Sequence, residues 1–228
     1  MKNIVVLTGA GISAESGIST FRDSDGLWEN YPVMEVANYD SWDKNPDLIR
    51  KFYNNLLHKL DAAQPNEGHK QLVRLEEKFN VTVVTQNIDD LHERAGSKHI
   101  IHLHGELRKA RSVRDSNYVV PIQSGELKKT DVDKFGEPLR PFIVFFGEDV
   151  PNLSPAIEEC ERADIFIIIG TSLVVYPAAG LMNYTKSSCK KYLVDPKDVG
   201  ASLRDITFIK EKASTGVKKV VDQILANN

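Results

Sequence analysis

The chain is short of cysteine. Among its 228 residues there are two, Cys160 and Cys189; they form no CxxC pair and lie too far apart for a metal knuckle. A disulfide framework is not expected at this density, and a reducing compartment is. Long apolar runs are missing as well. The N-terminal one, Ile4 to Leu7, breaks at Thr8-Gly9, short of what a signal peptide needs, and no stretch is long enough to span a bilayer. A cytoplasmic protein without a membrane partner is expected. Charge of one sign is not in excess either. A net charge of -3 argues against direct nucleic-acid binding as the main activity. What remains, 41% hydrophobic and 27% charged, suffices for one sizeable core with a small appended module.

Short apolar runs punctuate the chain: Ile4 to Leu7, Val81 to Val84, Ile100 to Leu103, Phe142 to Phe146, Ile165 to Ile169, Tyr192 to Val194 and Thr207 to Ile209. Most are rich in Val and Ile with little alternation, as in strands buried on both faces of a parallel sheet. Helical patterns lie between them. Glu67 to Phe79 carries Leu72, Leu75 and Phe79 on one face, and Val217, Val220, Val221, Ile224 and Leu225 form a single stripe. Pro46 to Leu60, Leu153 to Ala163 and Pro177 to Lys186 are further helix candidates. The fold class expected is α/β: a Rossmann-like open parallel sheet with helices on both faces. Phe21 to Leu60 contains no convincing strand, and Arg108 to Leu139 is polar and broken by Pro121 and Gly125. Two insertions, about 22–60 and 108–139, are expected to form a small module beside a single catalytic domain spanning 1–228.

The first strand runs into Gly9-Ala10-Gly11-Ile12-Ser13-Ala14, a GxGxxA form of the dinucleotide fingerprint. Such glycines permit a tight turn and close approach of phosphate to the backbone, ahead of a helix whose N-terminus faces the anion. A dehydrogenase of this fold shows an acidic residue ending a second strand about twenty residues on. Here Gly26 to Val33 is not a strand, so a dinucleotide would be held in another way.

Three more runs end in polar clusters: Thr85-Gln86-Asn87-Ile88-Asp89-Asp90, His104-Gly105-Glu106 and Gly170-Thr171-Ser172. Open α/β sheets bind ligands at the carboxyl ends of their strands, and all these motifs fall there. Asn87 and Asp89 could instead cap a following helix. His102 and His104 share a face if extended; that spacing can serve a metal, but no further ligand stands near in sequence. A histidine at a strand end, beside carboxamide and carboxylate side chains, suits proton transfer at neutral pH.

Taken together, these motifs resemble the sirtuin family, closest in look to its bacterial class III members. Gly9-Ala10-Gly11-Ile12-Ser13, with Ser16-Gly17-Ile18 and Thr20-Phe21-Arg22, is similar to the family's opening signature. Gln86-Asn87-Ile88-Asp89, His104-Gly105, Phe146-Gly147-Glu148 and Gly170-Thr171-Ser172-Leu173 follow in family order. The resemblance implies NAD-dependent removal of acyl groups from lysine, with NAD as co-substrate and acyl-lysine proteins or peptides as partners. The acyl oxygen attacks the ribose carbon as nicotinamide leaves. His104 then serves as base, with Asn87 and Asp89 as further catalytic residues, and O-acyl-ADP-ribose is released. By the same resemblance Gly9, Ala10, Gly11, Phe21, Arg22, Gln86, Asn87, Asp89, Gly170, Thr171, Ser172, Asp195 and Ala213 hold NAD. Tyr53, Val144, Phe145, Phe146 and Val175 line the substrate side.

The chain departs from the family pattern in three places. Most sirtuins hold a structural zinc with four cysteines in the small module, whereas no cysteine lies between Gly105 and Pro141. No zinc is expected, and Tyr118, Val119, Val120, Ile122 and Phe135 are candidate contacts holding the module by packing. Members that remove acidic acyl groups carry Tyr-x-x-Arg; here Tyr53 is followed by Leu56, which cannot pair with a carboxylate, so acetyl and other neutral acyls are expected over succinyl. Asp195 stands where many members have Asn. Three rival readings use parts of the same motifs: an NAD glycohydrolase or ADP-ribosyltransferase, a hydride-transferring oxidoreductase, and an idle NAD-binding module.

Overall fold

A computed structural model describes residues 1–20, 27–123, 125–198 and 205–227. The expected cofactor residues Phe21 and Arg22 lie outside the described residues. From the N-terminus, β1 (Asn3–Thr8) is followed by two 3-10 turns, Ala10–Ile12 and Ala14–Ser16. A hairpin of β2 (Leu27–Trp28) and β3 (Tyr31–Pro32) leads through the single turns α1 (Val33–Val36) and α2 (Ser41–Lys44) to α3 (Pro46–Ala62). Then come α4 (Glu67–Leu75), β4 (Asn80–Thr85), α5 (Leu91–Ala95), β5 (Ile100–His102), β6 (Gly105–Ser112), β7 (Val119–Pro121) and β8 (Leu139–Ile143). α6 (Leu153–Arg162), β9 (Ile165–Ile169), a 3-10 stretch Ala178–Tyr184, β10 (Lys190–Val194), β11 (Ile206–Ile209) and α7 (Ala213–Ala226) complete the chain.

Six strands form one parallel sheet in the order β11-β10-β9-β1-β4-β5. Counted in chain order within the sheet this is 3-2-1-4-5-6, the doubly wound order, with its switch point between β1 and β9. Alternate residues of β1 serve opposite cores. Ile4 and Val6 pack with Leu72 and Leu75 of α4 and Val217, Val220 and Ile224 of α7. Val5 and Leu7 pack with Ala156 and Cys160 of α6 and with Ala178 and Leu181. Burial on both faces explains why these strands are unbroken apolar runs rather than alternating ones. α3 begins with an N-cap, the Asn45 side chain accepting from Leu48 N–H, and Pro46 at its first turn.

Several expected elements fall elsewhere. Phe142 to Phe146 is not a strand of the main sheet. β8 starts earlier, ends at Ile143, and joins β6 and β7 in a separate antiparallel sheet ordered β7-β6-β8. β6 and β7 occupy the polar stretch in which no strand was expected. β6 is buried mainly at alternate positions, so its half-buried side is free to carry Arg108 and Lys109. The hairpin β2–β3 likewise stands inside the segment read as loop. Pro177 to Lys186 winds as a 3-10 stretch rather than an α-helix. Ala110, Leu127 and Leu139 are the buried centre beside the antiparallel sheet, with Tyr118, Val120 and Ile122 packed around it. Phe135 does not join them. It is 52% exposed and lies under the Arg114 and Lys134 cations.

Candidate active site

The loops after β1 and β9 meet at the switch point. Gly9 N–H donates to Ile169 O at 3.0 Å, Gly11 N–H to Gly170 O at 2.9 Å, and Gly170 N–H to Val194 O at 3.0 Å. A Cβ on Gly9 would lie 2.8 Å from Gly170 O, and one on Gly11 2.6 Å from Gly170 Cα. Gly170 has φ +60°, and its Cβ would fall 2.4 Å from Ile12 N. Backbone packed on backbone therefore demands these glycines, a requirement that stands beside the phosphate approach expected of the motif. The expected helix after the glycine loop is also absent. Two three-residue 3-10 turns take its place, so no helix macrodipole faces the loop.

The loop after β4 carries the polar side chains. Gln86 Nε2 donates to Thr171 Oγ1 at 3.0 Å, tying it to the β9 loop. Asn87 Nδ2 donates to the Ser13 hydroxyl at 3.1 Å, and Ser13 donates to Asp89 Oδ2 at 2.9 Å. Asp89 Oδ1 takes the Leu91 N–H at 3.1 Å, so the residue both starts α5 and faces the site. Burial pushes the Asp89 carboxyl above its ordinary range, against the pull of these two bonds. Behind Ser13 lies a buried polar layer. His69 Nε2 is 3.5 Å from the Ser13 oxygen, His92 Nε2 is 3.1 Å from Thr8 Oγ1, and Thr8 donates to Thr85. Burial lowers His69 to about 4 and carries His92 well below its usual value, so both are neutral.

His104 stands in the bend between β5 and β6. Its Nδ1 is 3.0 Å from Gln86 O. A carbonyl only accepts, so Nδ1 carries the hydrogen and Nε2 keeps its lone pair. Burial lowers the His104 pKa, partly offset by that bond. A neutral imidazole with a bare Nε2 is the form a general base requires. His102 does not share a face with it: its ring lies between Asn87 O, 3.2 Å from Nδ1, and Glu93 Oε1, 2.7 Å from Nε2. Among the described residues no three His, Cys, Asp or Glu side chains group as a metal site.

One cavity of about 570 Å³ is lined by every expected site residue that the structure describes, a volume typical of small-molecule sites. Its lining takes in Gly9, Ala10, Gly11, Gln86, Asn87, Asp89, Gly170, Thr171, Ser172, Asp195 and Ala213, together with Tyr53, Val144, Phe145, Phe146, Val175 and His104. Asp195 is 2% exposed and its Oδ1 accepts the Lys197 N–H at 2.9 Å. Ala213 is the first residue of α7. Tyr53 and Leu56, one turn apart on α3, pack with Trp28, Ile143 and Phe145. Burial pushes the Tyr53 phenol far up, and its hydroxyl has no partner among the described residues. Among the described residues the cations at this end are Lys59, which pairs with Glu29, and Arg140, which lies over the Phe145 ring and pairs with Glu148.

Sequence reasoning assigned no role to Ser13, His69, His92 or Thr85. His69 had a readable signal: it lies three residues before Leu72, on the inner stripe of its helix. Lys212, Trp28 and Leu107 also line the cavity with no motif to mark them.

The comparisons with known proteins agree with this geometry. The Sir2 family model matches residues 9–177. An NAD-dependent protein deacylase of Bacteroides thetaiotaomicron is 52% identical over 226 residues, covering 96% of this chain and 97% of that protein. The crystal structure of a Sir2 homologue–NAD complex superposes with a TM-score of 0.89 at 39% identity, over 99% of this chain and 90% of the other. A Sir2 protein with a deacetylated p53 peptide and 3′-O-acetyl-ADP-ribose superposes with a TM-score of 0.79 at 33% identity, over 99% and 93%. On the family match over residues 9–177 and the identity to these relatives along nearly the whole chain, the chain belongs to the Sir2 family.

Proposed function

We propose that the protein is an NAD-dependent protein-lysine deacylase, that it removes acetyl and other neutral acyl groups in preference to succinyl, and that it releases nicotinamide and O-acyl-ADP-ribose. The observation that carries the reading is His104. Its Nδ1 is held by Gln86 O, its Nε2 is bare, and it lines the one cavity that also holds the glycine loops. NAD fits that cavity as co-substrate. It would lie along Gly9 to Gly11 and Gly170 to Ser172, with the adenosine side toward Asp195 and Ala213. Gln86 would take the nicotinamide ribose, and Asn87 and Asp89 would set the nicotinamide pocket. His104 accepts the proton of a ribose hydroxyl as that hydroxyl attacks the acyl carbon. The acyl-lysine enters past Val144, Phe145, Phe146 and Val175. The segments about 22–60 and 108–139 form the small module over this cleft.

Acyl preference rests on the Tyr53 end. An acidic acyl group brought there would lose its water beside Leu56, and the nearby cations Lys59 and Arg140 already pair with Glu29 and Glu148, so the carboxylate would go unpaired.

The test is to incubate the protein with NAD and acetyl-, succinyl- or unmodified lysine peptide and quantify nicotinamide and product peptide by mass spectrometry. Nicotinamide matching deacetylated peptide one for one, with succinyl-peptide far slower, is expected. Equal nicotinamide release without acyl-peptide would make the protein a glycohydrolase. His104→Ala is expected to keep NAD binding and lose deacylation.

A further inference from the structure

Two histidines flank Leu103, and their surroundings impose opposite protonation states. His104 has one acceptor, Gln86 O, and is satisfied as a neutral ring. His102 is 8% exposed and is held between two acceptors: Asn87 O at Nδ1, 3.2 Å, and the Glu93 carboxylate at Nε2, 2.7 Å. A carbonyl and an ionised carboxylate only accept, and a neutral imidazole has one N–H to give. Either neutral tautomer therefore sets a lone pair against an oxygen. The imidazolium alone satisfies both contacts.

The two rings do matching work. Gln86 and Asn87 are consecutive, and each offers its carbonyl to one of the two histidines. Their side chains, with Asp89 two residues on, line the cavity. The main chain of this loop is thus pinned from behind at successive residues. We propose that His102 and Glu93 form a charged positioning dyad that fixes the Gln86–Asp89 loop, so that turnover requires His102 protonated while His104 is neutral. This rests on the deacylase reading only for its kinetic consequence; the protonation pattern stands on the contacts alone.

The groups facing His102 from each neighbouring element support the charged form. From α5 comes Glu93, and from β6 Glu106, which is itself paired with Lys109. From the loop comes Asp89, whose carboxyl the His102 charge pulls down against burial. His92, also on α5, is neutral. At the far side the Asn152 side chain donates to His102 O at 2.8 Å, which holds the backbone of the dyad. Burial pushes His102 down, but the Glu93 bond and charge, Glu106 and the Asn87 carbonyl outweigh it and hold it above its ordinary 6.5. The same pair holds Glu93 low although burial opposes it.

A pH consequence follows. As pH rises through the elevated value, His102 loses a proton and must release either Asn87 O or Glu93. The loop loosens and activity falls on the alkaline side. The acid limb is separate and belongs to His104, which becomes a base as it loses its proton, below 6.5. Glu93→Gln changes the logic. A glutamine amide can donate to Nε2, so a neutral His102 then satisfies both contacts, and the alkaline limb should vanish or move.

The first measurement needs no variant: side-chain nitrogen NMR of the wild-type protein, with His102 assigned by comparison with His102→Gln. At neutral pH both ring nitrogens of His102 should be protonated and one of His104. A neutral His102 there overturns the proposal. The second is the pH profile of kcat/KM for NAD. Wild type should show an alkaline limb that Glu93→Gln abolishes or displaces. His102→Leu should lower kcat/KM on the order of tenfold to a hundredfold, the scale of a loop misplaced by about an ångström, with ADP-ribose still bound. An alkaline limb unchanged in Glu93→Gln removes the dyad from the reaction. Absence of any nicotinamide release by wild type would refute the deacylase reading and leave the NMR result to decide the protonation pattern by itself.

Discussion

His69 gives the fold a calculable weakness in acid. It is fully buried on the inner face of α4, its ring set edge-on to His92 with centroids 4.9 Å apart. Burial lowers its pKa from 6.5 to about 4. In the unfolded chain the ring returns to about 6.5. Between those values the unfolded chain takes up a proton that the native state refuses, so the native state loses stability as pH falls. The contribution is whole above 6.5 and gone near 4. At about 1.4 kcal/mol for each pH unit, the loss across that window is roughly 3 kcal/mol. His92, lowered chiefly by the same burial and also by the charges of His69 and His102, adds to it. Carboxylates titrate in the same range, so the effect must be read as a difference. The variant is His69→Gln, which cannot take the proton. The assay is urea unfolding of both proteins from neutral pH down to the acid transition. At neutral pH the variant should be the weaker by about 1–2 kcal/mol, through the altered Ser13 contact and packing. As pH falls the gap should close and then reverse. Stability curves that stay parallel down to acid would refute the reasoning, for they would mean that His69 protonates in the native state without penalty.

Three further outcomes are expected. Gly170→Ala needs a left-handed backbone and pushes a methyl into Ile12 N; it should cost about 3 kcal/mol and lower Tm by about 6–12 °C in a thermal melt. Glu148 accepts from Arg111, Arg140 and the Phe145 N–H, with Arg140 5% and Glu148 10% exposed; Glu148→Gln leaves two guanidiniums facing a neutral amide and should cost about 3–5 kcal/mol in denaturant unfolding. Leu56→Arg places a guanidinium one turn from Tyr53 and should raise desuccinylation relative to deacetylation about tenfold or more, measured as the ratio of kcat/KM for the two peptides.

The parallel sheet was legible because its strands are buried on both faces and so stand out as Val/Ile runs. Ile165–Ile169 could hardly be anything else. The antiparallel sheet was not legible for the opposite reason. β6 buries only part of its length, and Arg108 and Arg111 on it make salt bridges with side chains far off in sequence, which no local pattern reveals. Phe142 to Phe146 misled because an apolar run does not say which sheet it joins; Gly105 pairs with Ile143 and draws it out of the main one. The cavity was legible as a set of strand ends, since topology alone gathers them. The glycines were recognised as a loop motif, but the contact between two distant loops that also demands them cannot be seen in either one. The layer behind the site was missed because its members, Thr8, Thr85 and His92, carry no spacing that separates a buried polar side chain from a solvated one.

Only Leu103 and His104 separate the last strand of the parallel sheet from the first of the antiparallel one. Leu103 is anchored in the core beneath α6. His104 is tied in both directions: its ring to Gln86 O on the parallel side, and its carbonyl to Val144 N–H, 3.0 Å away, on the antiparallel side. The imidazole thus occupies the joint rather than either plate. Any rocking of the smaller sheet against the larger must either drag the imidazole away from Gln86 or part it from Val144. If His104 acts as the proposed base, its Nε2 is aimed by contacts to both sheets at once.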